Sequence, residues 1–175
     1  MTDLAPPELS RLVYLGPTGT FTEQALFTQR DLTGLDLRPA PSIPDVFRQV
    51  VAGEADLGFA AIENSIEGSV NVTQDTLAFD VDLLIQREVV ISIQLNLMVA
   101  PGTALADVDR VCSYPHAIAQ CRGWLSEYLP SAEVQATNST ADAARLLAAT
   151  PDGHTAAIAP GRAAEAYGLE VLAAD

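Results

Sequence analysis

No lysine occurs in the 175 residues; all nine basic side chains are arginine. That absence excludes Schiff-base chemistry and a Walker-type phosphate loop, each of which needs a lysine amine. Positive charge is scarce altogether, since 23 acidic residues leave a formal net charge of −14. Nucleic acid and anionic membrane both need a basic face, so neither is expected as a partner. Cysteine and histidine are also rare, limited to Cys112, Cys121, His116 and His154. Two cysteines make no disulfide framework and here lack metal-ligand spacing, so they read as small buried apolar groups in a reducing compartment. No metal is expected. No apolar run approaches a membrane span, and residues 1–10 lack the basic and apolar regions of a signal peptide, reading instead as a loose tail.

What is present is globular in character: 49 % hydrophobic and 18 % charged residues, on a chain long enough to bury a core. Apolar periodicity predicts strands at 12–15, 35–38 and 57–62, with helices at 21–29 and 43–51 between them, a βαβαβ unit. Ser42 is the expected cap of the second helix and Gly53 its stop. A short helix is expected at 71–78. Residues 83–99 alternate Val, Ile and Leu against Ser92, Gln94 and Asn96, which predicts β structure. Regular alternation then resumes: strands at 110–113, 133–137 and 155–158, and helices at 115–128, 140–149 and 160–167, the last stopped by Gly168. The pattern suggests two α/β lobes, 11–79 and 80–175, around a cleft of the kind that holds small molecules, with a single continuous doubly wound sheet as the alternative.

Four polar junctions follow strands. In Gly16-Pro17-Thr18-Gly19-Thr20-Phe21-Thr22-Glu23, Thr20 and Glu23 form a capping box, and the free N–H groups with the hydroxyls of Thr18 and Thr20 could cradle a carboxylate. An ordinary strand-to-helix turn would look the same. Glu63-Asn64-Ser65-Ile66-Glu67-Gly68-Ser69-Val70 follows a strand end, where α/β proteins place ligands, though a solvated loop has the same composition. Ser113-Tyr114-Pro115-His116 opens a helix; His116 is either a proton shuttle or a surface histidine. Asn138-Ser139-Thr140 either lines a site or simply caps. No nucleophile elbow, paired-His metal motif or dinucleotide fingerprint occurs, so chemistry would run on hydroxyls, amides, carboxylates and backbone dipoles without a cofactor.

In order along the chain, these segments resemble the prephenate dehydratase family. The likeness is carried by Tyr14 to Thr22, by Gly53-Glu54-Ala55-Asp56 ahead of Ile62 to Ser65, and by Gly68-Ser69-Val70. Ser113 to Cys121 is similar to the family's Ser-His-Pro-Gln helix start, with Tyr114 and His116 in place of its histidine and glutamine. Asn138 to Ala144, Ala156 to Ala159 and Tyr167 to Leu172 complete the match. Leu95 stands where a family histidine is common. The family's Thr-Arg-Phe motif and ACT domain lie beyond Asp175.

The resemblance implies a two-lobed fold like the type II periplasmic-binding proteins, a cytoplasmic enzyme, and a homodimer or higher homo-oligomer. It implies a lyase of phenylalanine biosynthesis that converts prephenate to phenylpyruvate, losing CO2 and water. It implies that Thr18, Gly19, Thr20 and Phe21 hold a substrate carboxylate. Asn64, Ser65, Gly68, Ser69 and Val70 would hold the other polar groups, and Ser139 and Thr140 would close the far wall. The family's threonine for hydroxyl departure sits in the motif beyond Asp175, which leaves Glu63 and His116 as the acid candidates here. A segment returning to the first lobe is expected to lie outside the chain too. Two other readings are consistent with the residues: a prephenate decarboxylase-like enzyme that keeps the hydroxyl, and a non-catalytic carboxylate-binding module.

Overall fold

The computed structural model describes residues 9–174, so most of the expected tail lies outside it. Contacts divide these residues into two compact units, one running up to Gly16 and resuming over Ala25–Val89, the other made of Pro17–Gln24 and the chain from Val90 onward.

The first unit is the expected βαβαβ arrangement. Strand β1 (Arg11–Leu15) leads to helix α1 (Phe21–Phe27), whose residues are shared between the units; strand β2 (Asp36–Ala40), helix α2 (Ile43–Val51) and strand β3 (Leu57–Phe59) follow. The sheet has the order β2-β1-β3, with both pairings parallel. As the middle strand, β1 is apolar on both faces: Val13 packs with Ala40, Val46 and Ala55, while Leu12 and Tyr14 pack with Leu26. The alternation is that of a pleated strand. Ser42 caps α2 by accepting from the Asp45 N–H, with proline in the first turn. Gly58 interrupts the apolar run for a packing reason: a Cβ there would meet Val46 at 3.0 Å and Val50 at 3.2 Å. A two-residue-per-strand hairpin, β4 (Glu63–Asn64) and β5 (Gly68–Ser69), then leads into the short helix α3 (Asn71–Asp75) and a π turn at Thr76–Asp80.

Two expectations fail in this region. The strand foreseen at 57–62 stops at Phe59, and Ile62 is half exposed. The β structure foreseen at 83–99 is confined to Asn96–Val99. Residues 83–94 are without regular structure, and among the described residues none of their N–H groups pairs with a backbone carbonyl. Leu84 is 79 % and Val90 84 % exposed. High strand propensity describes a fit to neighbouring strands; without a neighbour it orders nothing.

In the second unit, β6 (Asn96–Val99), β7 (Arg110–Ser113), α4 (Pro115–Gln120), α5 (Arg122–Tyr128), β8 (Glu133–Ala136), α6 (Thr140–Ala149), β9 (Thr155–Ala159), α7 (Gly161–Tyr167) and β10 (Glu170–Ala173) follow in sequence. They form a five-stranded sheet of order β10-β6-β9-β7-β8, in which β7 is parallel to β8 and β9 while β6 runs antiparallel to its neighbours. One core is built largely from alanine: Ala143 and Ala144 of α6, Ala157 and Ala159 of β9, and Ala163 and Ala164 of α7. Small side chains let these backbones approach closely at little entropic cost. Gly168 ends α7 in the left-handed conformation, as expected.

The single helix expected over 115–128 is broken at Cys121, whose φ of −89° and ψ of 3° end α4 and open α5. Gly123, two residues on, weakens helical continuity there by about 1 kcal/mol relative to alanine. Cys112 is buried and Cys121 half-buried, and both are free thiols. Burial pushes the Cys112 thiol up from its ordinary pKa, which keeps it protonated and inert.

Candidate functional site

The hairpin of the first unit carries Glu63, Asn64, Ser65, Gly68, Ser69 and Val70 together. Its shape comes from Asn64, whose Oδ1 accepts the N–H groups of Ile66 (2.9 Å) and Glu67 (3.2 Å), an asparagine-closed turn. Gly68 takes a φ of +84°. The base of the hairpin is tied down by the Val70 N–H donating to the Ile62 carbonyl (2.9 Å) and the Thr73 hydroxyl donating to the Ala61 carbonyl (2.7 Å). Asn64 is half-buried, and Glu63, Ser65 and Ser69 are exposed. The Asn64 Oδ1 is spent on the turn, while the hydroxyls of Ser65 and Ser69 lie at the surface.

In the second unit, residues 17–24 are held against α7. Gly19, at a φ of +88°, lies so close to the helix that a Cβ would meet the Ala163 Cα at 2.9 Å. The Tyr167 hydroxyl donates to the Thr18 carbonyl (2.6 Å), and burial pushes the Tyr167 pKa up. Thr20 Oγ1 accepts the Glu23 N–H (3.2 Å) as expected, and the Glu23 carboxylate accepts the Gly19 N–H (2.7 Å). Glu23 is buried, and its Oε2 also faces Arg162 Nε at 3.4 Å. The Gly19 N–H is thus occupied by the protein's own carboxylate.

The parallel strands β7, β8 and β9 end on one side of their sheet, and β6 starts there, since Asn96 pairs with Ala159 and Ser113 with Ala136. This end brings together His116, Ser139, Thr140 and Arg162 by topology, the position where open α/β sheets carry ligands. His116 is exposed and its ring stacks on Tyr114 at 5.3 Å. Ser139 caps α6, its hydroxyl accepting the Asp142 N–H (3.0 Å). Ser113 is fully buried and donates to the Ile158 carbonyl (2.6 Å), a tie between strands.

Sequence reasoning missed a polar recess of about 290 Å³ next to this loop, lined by Gln24, Gln94, Asn96, Gly161, Arg162 and Glu165. Asn96 is buried, donating weakly to the carbonyls of Gln94 and Ala159. Arg162 also donates to Glu165 (3.2 Å). A buried asparagine at a strand start and an arginine opening a helix were the available signals. Among the described residues no cluster of three metal-ligating side chains occurs, and no helix is long and apolar enough to cross a membrane.

A family profile described as prephenate dehydratase matches residues 12–175. The chain is 43 % identical over 177 residues to a prephenate dehydratase from Mycolicibacterium vanbaalenii, covering 94 % of this chain and 56 % of that protein. It is 43 % identical over 162 residues to a bifunctional chorismate mutase/prephenate dehydratase from Neisseria gonorrhoeae, covering 93 % and 44 %. The crystal structure of a prephenate dehydratase in complex with L-Phe from Arthrobacter aurescens matches with a TM-score of 0.86 and 39 % identity, covering 94 % of this chain and 55 % of that one. The chain spans about half the length of the curated relatives it matches.

Proposed function

The chain belongs to the prephenate dehydratase family, and from that premise we propose that it acts on prephenate, releasing CO2 and water to form phenylpyruvate in phenylalanine biosynthesis. The two-lobed α/β fold implied by the resemblance is that of its structural relatives. The observation that carries the reading is the family match over nearly the whole chain.

In this reading the reaction asks little of the protein: two carboxylates held in place, and a proton or hydrogen bond supplied to the departing C4 hydroxyl. Thr18, Thr20 and Phe21 hold one carboxylate, on a loop that Glu23, through the Gly19 N–H, and Tyr167, through the Thr18 carbonyl, tie in place. The Asn64 amide with Ser65, Gly68, Ser69 and Val70 addresses the remaining polar groups, and Ser139 and Thr140 bound the site. Glu63 and His116 are the groups proposed to assist hydroxyl departure. We infer a cytoplasmic homodimer or higher homo-oligomer, which sedimentation of the purified chain would check.

The test is turnover of prephenate by these 175 residues at neutral pH against a no-enzyme blank. Phenylpyruvate formation supports the dehydratase reading. A decarboxylated, non-aromatic product would place the chain with decarboxylase-like relatives. Prephenate binding without any product would make it a carboxylate-binding module.

A further inference from the structure

We propose that the recess between the broken helix α4/α5 and the edge strand β8 binds a small monocarboxylate with an apolar body, its carboxylate on Arg122. The proposal is independent of the prephenate site and stands on three observations.

The first is shape and lining. A hollow of about 350 Å³ is lined by Ile118, Leu125, Leu129, Pro130 and Val134 together with the exposed Arg122 and Ser126. That volume lies within the range of small-molecule sites, which pair apolar walls with a few placed polar groups.

The second is charge. Most of the nine arginines face carboxylates: Arg11, Arg38, Arg48, Arg87, Arg110, Arg145 and Arg162 all have acidic partners. Arg122 has none among the described residues. Glu133 of β8 faces Arg110 instead, at 3.9 Å. An unpaired guanidinium beside an apolar hollow, in a chain of net charge −14, favours an anion there over any other ligand.

The third is the break at Cys121. An unbroken helix would continue the register of residues 115–120. The break at φ −89°, ψ 3° starts a new helix at Arg122, and both segments contribute walls to the hollow. Val134, which lines it, is half exposed on β8, an edge strand among the described residues.

A carboxylate with one aromatic or branched body satisfies both features; a dianion leaves one charge in the apolar part, and a neutral amide leaves the guanidinium unanswered. The experiment titrates 3-phenylpropionate, up to about 10 mM, into the isotopically labelled chain, following the methyl signals of Ile118, Leu125, Leu129 and Val134. The same titration is run with 3-phenylpropionamide and on the R122Q and R122K variants. The expected result is saturable movement of these methyls, with affinity reduced roughly tenfold or more by R122Q or by the amide, and partly kept by R122K. Unmoved methyls, or equal affinity for the acid and the amide, would overturn the proposal. The acid–amide comparison uses the unaltered chain, so it stands even if a variant is unstable. Prephenate turnover plays no part in the readout.

Discussion

Arg162 Nε lies 3.4 Å from Glu23 Oε2, and the same oxygen accepts the Gly19 N–H at 2.7 Å. One buried carboxylate thus links a loop to a helix 139 residues further along the chain. Replacing Glu23 with alanine leaves the Gly19 donor and the guanidinium without it, at an expected cost of about 2–3 kcal/mol. Replacing Glu165, the exposed second partner of Arg162, is expected to cost under about 0.5 kcal/mol. Urea unfolding of both variants checks the contrast, and equal losses would count against it.

Gly19 and Gly68 share the left-handed conformation but not the same surroundings. Alanine at Gly68 meets nothing within 4 Å and is expected to cost only the backbone penalty, about 1–2 kcal/mol. Alanine at Gly19 runs into the Ala163 backbone at 2.9 Å as well, so its loss should exceed that of Gly68→Ala by about 1 kcal/mol or more. Denaturation midpoints at constant slope give the comparison.

Ser113 opens the segment in which His116 was the one chemical candidate, and its own hydroxyl is spent on the Ile158 carbonyl. Ser113→Ala is therefore expected to lower stability by about 1 kcal/mol while leaving prephenate affinity unchanged. A calorimetric titration showing weakened binding in a well-folded variant would instead give Ser113 a part in holding substrate.

Asn64 has two separable tasks. Its Oδ1 shapes the hairpin, which aspartate can also do, whereas its N–H2 is the proposed donor to substrate. Asn64→Asp should keep the turn, seen in the amide signals of Ile66 and Glu67, and still lose at least about tenfold in prephenate affinity. Undiminished affinity in Asn64→Ala would remove Asn64 from the site.

Asp152 provides a pH dependence. The His154 N–H, first, and then the Thr155 hydroxyl hold its pKa down to about 2, below the ordinary value near 3.9. A depressed carboxylate adds stability above the unfolded pKa and loses it as pH falls through the folded one. Its share should thus disappear between about pH 4 and pH 2. Asp56 behaves alike, held well below the carboxylate range by the Ser10 N–H and then Arg11. Asp152→Asn should be less stable at neutral pH and show a shallower loss across that interval; a curve parallel to the parent's would refute the assignment.

Much of this was legible in the residues. The βαβαβ order of the first unit followed from apolar runs at 12–15 and 57–62 around the amphipathic 43–51, even though the last strand stops at Phe59, and Ser42, the Asn138-Ser139 pair, Gly53 and Gly168 marked helix ends by local chemistry. The tie between Glu23 and Arg162 was not legible, because no local pattern links residues so far apart. The break at Cys121 was hidden by Trp124, Leu125 and Tyr128, which extend the apolar stripe of a continuous helix. Tyr128 is half exposed instead and stacks on Trp124 at 4.8 Å. The alternation over 83–99 predicted β structure, but among the described residues only Asn96–Val99 has an adjacent strand to pair with.

Residues 83–94, none of whose N–H groups pairs with a backbone carbonyl among the described residues, and whose Val90 and Leu84 face outward, give the chain an ionic-strength limit on its colloidal life. At low salt the −14 charge keeps molecules apart over tens of ångströms, while at about 0.1 M the repulsion reaches only ~10 Å. The exposed strand-forming backbone is unaffected by that screening. Added salt, at constant temperature and with the fold intact, is then what brings two such segments within pairing range, so concentrated solutions should cloud sooner as salt rises.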